Sequence, residues 1–378
     1  MVYSFEIGPI RPPSESTSLL IRCTRNCPWN KCRFCLSYKD KPFAIRPVED
    51  IKQDIATAKT MRDRILEITY AAGRSGAMQK VVAMVLKDPP NESFRNVALW
   101  LMGGGENVFL QDANSIIMKN EDLCDVIVFL KQTLAKIQRV TCYGRAQTAA
   151  RKKVREFVEL RQAGLTRIHI GLESGYNPVL EYMGKGEDTA TQIKGGRNVV
   201  ESGISLSEYV ILGLGGRQMS ALHAVNTAKA LNEINPDFIR LRTLMVNASL
   251  PLAADISAGR FIRVTDEDII REERLLVDNL NVYSTFVSDH VSNLLPEAEG
   301  KLPGDKGKIM SVLESFLSLS QHDKENYIVG RRVGLYKRLA DMRDPQRNEL
   351  VEQIKAKMTG GEKRLDPQVI FKLMEEFL

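Results

Sequence analysis

The chain has 378 residues, 53 Lys+Arg against 47 Asp+Glu, a formal charge of +6 and 43% hydrophobic residues. These are ordinary globular values, which excludes a disordered or collagen-like chain. The mild, dispersed basic charge argues against a dedicated nucleic-acid binder, which carries its positive charge as a concentrated stripe.

The first 17 residues read as an irregular arm punctuated by Pro9, Pro12 and Pro13. They contain no apolar run suited to a secretory leader, and no apolar run of about 18 residues suggests a membrane span. Ser18 to Cys23 is predicted to be a strand, and residues 47–72 a helix with acidic residues near its start. Residues 73–96 give no clear pattern, but Lys87 to Asn91 marks a turn or helix break. A regular alternation follows. Strands are predicted at 97–102, 139–143, 166–174, 205–216 and 238–246, and helices at 123–137, 150–163, 177–183, 189–202 and 219–234. Six strands alternating with helices predict a parallel α/β architecture over residues 18–250. From Thr265 onward only helical patterns are read, separated by Pro296, Pro303–Gly304 and Gly360–Gly361. The expected division is an arm over 1–17, an α/β portion over 18–250 and an α-helical extension over 251–378.

Cysteine usage is more specific than charge. Four of the six cysteines, Cys23, Cys27, Cys32 and Cys35, fall within thirteen residues; Cys124 and Cys142 stand alone. This is not the pattern of a small secreted disulfide scaffold, and in a reducing cytoplasm it reads first as a metal site. A structural zinc site takes two ligands from each of two knuckles, and a second knuckle is missing. Three thiolates on one loop would leave one iron of a 4Fe–4S cluster open for a substrate or cofactor. The alternative is a closed, non-catalytic iron–sulfur or zinc site that uses Cys23 as a fourth ligand.

The segment Cys23-Thr-Arg-Asn-Cys27-Pro-Trp-Asn-Lys-Cys32-Arg-Phe-Cys35 resembles the signature of the radical S-adenosylmethionine (radical SAM) superfamily, with Phe34 as the aromatic residue before the last cysteine. Four residues separate Cys27 from Cys32 and three separate Cys23 from Cys27, whereas the commonest family spacing is three. Two triads therefore compete, and Cys27, Cys32 and Cys35, within one loop, is preferred. Cys23, at the end of an apolar strand, is expected to be a buried small side chain. The resemblance covers residues 18–250 and implies a partial parallel (β/α)6 barrel. It is distantly similar to the coproporphyrinogen oxidase and elongator-type groups.

The resemblance also implies a set of strand-end contacts to SAM. Gly104, Gly105 and Glu106 would hold its amino group, and Glu173 its ribose or amino group. Arg145 would bind its carboxylate or a substrate acid, and Lys185 would face its carboxylate; Tyr209 and Leu214 would flank its adenine, with Glu208 one position off register. Plain readings compete with three of these: a glycine turn for Gly104 to Glu106, a helix cap for Glu173 and a surface lysine for Lys185. Arg240 and Arg242 share one face of the last strand and would hold an anionic substrate or the SAM carboxylate, or else pair with Glu173 or Glu106. His290, in Ser288-Asp289-His290, is a lone histidine able to move protons. The other histidines form no motif.

The implied activity is reductive cleavage of SAM to a 5′-deoxyadenosyl radical that abstracts hydrogen from a substrate. The implied electron donor is a flavodoxin or ferredoxin, and the implied setting an anaerobic cytoplasm. A small molecule is expected as substrate rather than nucleic acid. No cobalamin-binding pattern and no second cysteine cluster is read.

Overall fold

The computed structural model describes residues 3–71, 77–87, 89, 91–359 and 365–375. Its strands are β1 (Leu19–Arg22), β2 (Thr24–Arg25), β3 (Ala44–Ile45), β4 (Asn107–Gln111), β5 (Arg139–Gly144), β6 (Leu165–Glu173), β7 (Ser205–Leu212), β8 (Phe238–Thr243), β9 (Thr285–Val287) and β10 (Gly300–Lys301). Eight form one sheet in the order β1-β4-β5-β6-β7-β8-β9-β10, while β2 and β3 form a separate antiparallel ribbon. The pairs β1–β4, β4–β5, β5–β6, β7–β8 and β8–β9 are parallel, and β9–β10 is antiparallel. The expected α/β class, with a helical C-terminal part, is present.

Two expectations require correction. Residues 97–102 are helical, inside Glu92–Met102, and the strand is β4, starting at Asn107. Asn91 caps the helix by accepting the Phe94 N–H at 2.9 Å. Ala98, Leu99, Leu101 and Met102 are good helix formers, so the apolar run fitted a helix as well as a strand. Gly104 and Gly105, at φ +99° and +72°, end the helix. Second, the C-terminal region is not wholly helical. β9 and β10, only three and two residues long, are too short to show a period. The expected break at Gly360–Gly361 lies outside the described residues.

The chain divides into two compact units that interleave in sequence. The first comprises Met1–Asn30, Ser37–Ile170 and Lys194–Leu206; the second comprises Lys31–Leu36, Gly171–Ile193 and Ser207–Leu378. In the first, Leu19, Leu20, Ile21, Val108, Phe109, Leu110, Val140 and Ile168 are fully or almost fully buried. The helix Val48–Ala71 buries Ile51, Ile55, Ala58, Met61 and Ile65, the stripe expected of a 3.6-residue period. The N-terminal arm is tied down. Gln111 accepts the Gly8 N–H and donates to the Gly8 and Ile10 carbonyls. Glu15 is buried against Ser18 and Arg139 at 2.6 and 3.0 Å.

In the second unit, Val179, Met183, Leu214, Val246, Leu250, Leu252 and Phe261 form an apolar cluster. The helix Asp266–Asn279 carries two buried acids. Glu272 accepts the Gly213 N–H at 2.7 Å and the Ser220 hydroxyl, which closes the turn after β7. Glu273 is 2% exposed, and its Oε1 has no partner among the described residues. Burial pushes its carboxyl up to about 8.

The Glu273 shift makes stability pH-dependent. From the ordinary 4.5 up to about 8 the unfolded chain loses this proton while the folded chain keeps it. Stability therefore falls as pH rises through that window. Glu273→Gln is expected to leave urea unfolding near pH 5 almost unchanged and to raise the midpoint at pH 8.

Candidate functional site

The cysteine loop begins where β1 ends, and its base is closed by the β2–β3 ribbon, in which Thr24 pairs with Ile45 and Arg25 with Ala44. One buried carboxylate organises this base. Asp112, the residue after β4, is fully buried. It accepts Arg22 Nε at 2.9 Å and Nη2 at 2.6 Å, the Tyr38 hydroxyl at 2.9 Å and the Asn26 N–H at 3.3 Å. Arg22 ends β1, Asn26 precedes Cys27, and Tyr38 lies three residues after Cys35. One side chain thus fixes both flanks of the loop. Burial pushes its carboxyl up, against the opposing pull of Arg22 and Tyr38. Glu6 completes the network by pairing with Arg22, Arg25 and Arg46.

The distal part of the loop, Lys31–Leu36, belongs to the second unit and is stitched into it. The Arg33 N–H donates to the Met183 carbonyl, and the Leu252 N–H to the Arg33 carbonyl. The Arg33 guanidinium pairs with Asp255 and lies 5.0 Å from the centroid of the Tyr182 ring. Phe34 and Leu36 pack against the apolar cluster.

Cys27, Cys32 and Cys35 are all half-buried. Three soft sulfur donors within nine residues suit an iron–sulfur cluster. As placed, no group of three His, Cys, Asp or Glu side chains among the described residues is arranged around a metal-ion position. The residues fit the group by donor chemistry and by a loop held at both ends. Cys23 differs from all three. It is fully buried, and burial pushes its thiol up to about 12. The neighbouring buried Cys142 thiol is raised as well. Full burial sets Cys23 apart from the three half-buried cysteines of the loop.

Gly104, Gly105 and Glu106 do not sit where the resemblance put them. They precede β4, and the Glu106 carbonyl accepts from Gln138 and Arg139 at the start of β5. They therefore lie at the N-terminal end of the strands, because the preceding segment is helical. The C-terminal end of β4 instead carries Gln111, Asp112 and, shortly after, Asn114, none of which the sequence motifs singled out.

Arg145 follows β5. Its N–H donates to Asn114 Oδ1 at 3.0 Å, and its guanidinium lies 5.4 Å from the centroid of the Trp29 ring. With Pro28, Ile116, Ile117, Thr148 and Arg151 these two residues line a cleft of about 430 Å³ in the first unit.

Glu173 ends β6 at φ 63°, a left-handed conformation uncommon for a residue with a Cβ. Its carboxylate folds back over Gly171, where a Cβ would come within 2.0 Å of Glu173 Oε1 and 3.3 Å of Lys185 Nζ. Lys185 Nζ lies 3.5 Å from Glu173 and 3.6 Å from Glu187. Burial raises the Glu173 carboxyl, and Lys185 draws it back. Glu208 is 1% exposed, and neither carboxylate oxygen has a hydrogen-bond partner among the described residues. Burial first, then Glu187 and Glu173, push it well above the usual carboxylate range.

Tyr209 pairs in register with Arg240, and its ring centroid lies 4.8 Å from the Arg242 guanidinium. By strand alternation Tyr209 shares a face with both arginines, and Glu208 takes the other. Leu214 is fully enclosed in the apolar cluster against which Phe34 packs. Its side chain has no open surface. Arg240 and Arg242 both face Asp289, at 3.0 and 3.8 Å, and neither pairs with Glu173 or Glu106 among the described ion pairs.

Residues 21–226, more than half of the chain, match the family model described as Radical SAM superfamily. A comparison with curated proteins finds no match. Among solved structures the chain is similar to the archaeal Methanocaldococcus infernus Elp3 with an N-terminal deletion, at 14% identity and TM-score 0.42, over 54% of this chain and 53% of that one. It is similar to methylornithine synthase at 12% identity and TM-score 0.42, over 70% and 63%. It is also similar to the radical S-adenosylmethionine methyltransferase TsrM from Kitasatospora setae, at 11% identity and TM-score 0.44, over 89% and 60%. The match thus spans about half the length of the first and less than two thirds of the other two.

The Asp112 anchor is open to test. Asp112→Ala leaves Arg22 with only Glu6 and the Asn26 side chain, and removes the acceptor for the Tyr38 hydroxyl and the Asn26 N–H. It is expected to cost about 3 kcal/mol in urea unfolding, in the range for breaking a buried ion pair. It should also speed proteolysis within residues 26–38. Tyr38→Phe, which removes one hydrogen bond, should cost about 1 kcal/mol.

Proposed function

The chain belongs to the radical SAM superfamily, and on that premise we propose that Cys27, Cys32 and Cys35 hold a [4Fe–4S] cluster whose open iron takes S-adenosylmethionine. It is an enzyme of radical SAM type, and the cofactors of its superfamily are that cluster and SAM. When bound, they supply a one-electron reductive cleavage of SAM and a 5′-deoxyadenosyl radical for hydrogen abstraction.

The observation that carries the reading is the contrast among the cysteines inside the matched region. Three half-buried cysteines lie on one anchored loop, while Cys23 is sealed in the core. The chain's own residues then bind and orient. Glu173 and Lys185, held against each other over Gly171, offer an acceptor and a donor to the amino and carboxylate groups of SAM. Arg145 offers a guanidinium fork for a carboxylate. Phe34, backed by Leu214, gives the loop an apolar side, and Tyr209 lends an aromatic face. The strand end that carries Arg240 and Arg242 holds an anionic, small-molecule substrate. Residues 18–250 serve as the catalytic portion, with an arm over 1–17 and an extension over 251–378. A flavodoxin or ferredoxin delivers the electron, in a cytoplasmic setting. No described helix is long and apolar enough to cross a membrane.

The test is anaerobic reconstitution with iron and sulfide, followed by SAM and dithionite, with 5′-deoxyadenosine as the readout. The intact chain and Cys23→Ala should both bind the cluster and form the product. Cys27→Ala, Cys32→Ala and Cys35→Ala should each lose the cluster's visible absorption and fall to background. Product loss in Cys23→Ala with retention in Cys27→Ala would overturn the ligand assignment.

A further inference from the structure

Arg240 and Arg242 look equivalent in sequence, but their surroundings differ. The Arg240 side chain is 7% exposed and donates to Asp289 at 3.0 Å. The Arg242 side chain is 18% exposed, lies against the Tyr209 ring and is 3.8 Å from Asp289. Its Nη1 also donates to the Leu241 carbonyl at 3.3 Å. Its Nε and Nη2 have no hydrogen-bond acceptor among the described residues. Arg240 is thus held in the structure by Asp289, while Arg242 keeps most of its fork of donors.

His290 is held to the same strand end by a chain of hydrogen bonds. The Thr243 N–H donates to Ser292 Oγ at 3.0 Å. Ser292 Oγ lies 2.7 Å from His290 Nδ1, and the Ser292 N–H donates to the same nitrogen at 3.2 Å. An N–H donor on Nδ1 leaves that nitrogen without a proton, so the ring carries its hydrogen on Nε2. That N–H has no protein acceptor among the described residues. Arg332 and Asn293 brace the segment by donating to the Ser292 and Leu241 carbonyls. Burial and the Arg242 charge hold the imidazole at about 4, so it is neutral near pH 7. Asp289, the adjacent acid, is the opposing influence.

We propose that Arg242 and His290 form the oxyanion subsite of the substrate, taking a carboxylate or phosphate group between the Arg242 fork and the His290 Nε2–H. Asp289 stays with Arg240 and yields Arg242 to the incoming anion. The pair discriminates by shape as well as charge: a guanidinium fork matches two oxygens, and a neutral N–H adds a directed bond without a second full charge. The inference rests on the radical SAM reading only in assigning the anion to the substrate.

The test uses the reconstituted holoenzyme with 15N-labelled histidine. The chain has four histidines, so His290→Asn identifies the His290 signal by its loss. Inorganic phosphate and acetate are titrated separately while the His290 Nε2–H resonance is followed. A saturable shift is expected with at least one of them, and the tighter anion names the group. Arg242→Gln should weaken binding at least about tenfold, the value of a charged hydrogen bond. Asp289→Asn should tighten it about twofold to fivefold, since it removes a half-exposed competitor. Arg242→Lys, which keeps charge and loses the fork, should fall between the intact chain and Arg242→Gln, and serves if the Gln variant does not fold. No shift with either anion, or equal affinity in both Arg242 variants, overturns the subsite. Displacement of the probe by SAM overturns its assignment to substrate. Formation of 5′-deoxyadenosine in the same preparation reports separately on the radical SAM reading.

Discussion

The arrangement of the cysteine loop depends on one buried negative charge. An ionised carboxylate without partners inside a protein is costly, so Asp112 must be satisfied where it sits. Four donors from three segments satisfy it: two from Arg22, one from Tyr38 and the Asn26 N–H. That requirement sets the path of the chain before and after the cysteines. It also draws in the N-terminal arm, because Glu6 shares Arg22 and a side chain at Gly8 would collide with Asp112. The residues on both sides of the cysteines are thus fixed by the same carboxylate.

The second unit holds its part of the loop by a different balance. Backbone hydrogen bonds from Arg33 and Leu252, together with the Arg33–Asp255 pair, fix Lys31–Leu36 without using any cysteine. The same unit concentrates acids around one lysine. Glu173 and Glu187 lie close to Lys185, and Glu208 feels all three charges. Three carboxyls and one ammonium in buried surroundings cannot all be charged cheaply, and the Glu173 and Glu208 carboxyls accordingly shift up. Such a site gains when a cationic group enters.

Charge pairing also divides labour at the end of β8. Asp289 neutralises Arg240 closely and Arg242 loosely, which leaves one of two similar arginines with usable donors. The Thr243–Ser292–His290 chain places a neutral donor at the same strand end. The turn after β7 has a comparable logic, with Glu272 accepting from Gly213 and Ser220. In each case a buried polar group is tolerated because named partners meet it, and Glu273 shows the cost where they do not.

The amino-acid sequence by itself determined the strand–helix alternation, the parallel α/β class and the cysteine loop, because side-chain periodicity and ligand spacing are local properties. It misplaced one strand for the same local reason: VALWLM satisfies both periods, and only the Asn91 cap and the glycine stop decide for a helix. It could not register β9 and β10, whose pairing lies with distant partners. Tertiary structure alone decided which cysteine is sealed and which are half-buried, that Gly104 to Glu106 lie at the wrong end of β4, and that Asp112 anchors the loop. It alone separated Arg240 from Arg242 and oriented His290. These outcomes turn on burial and charge pairing between residues as much as about 90 positions apart, and no local pattern carries that information.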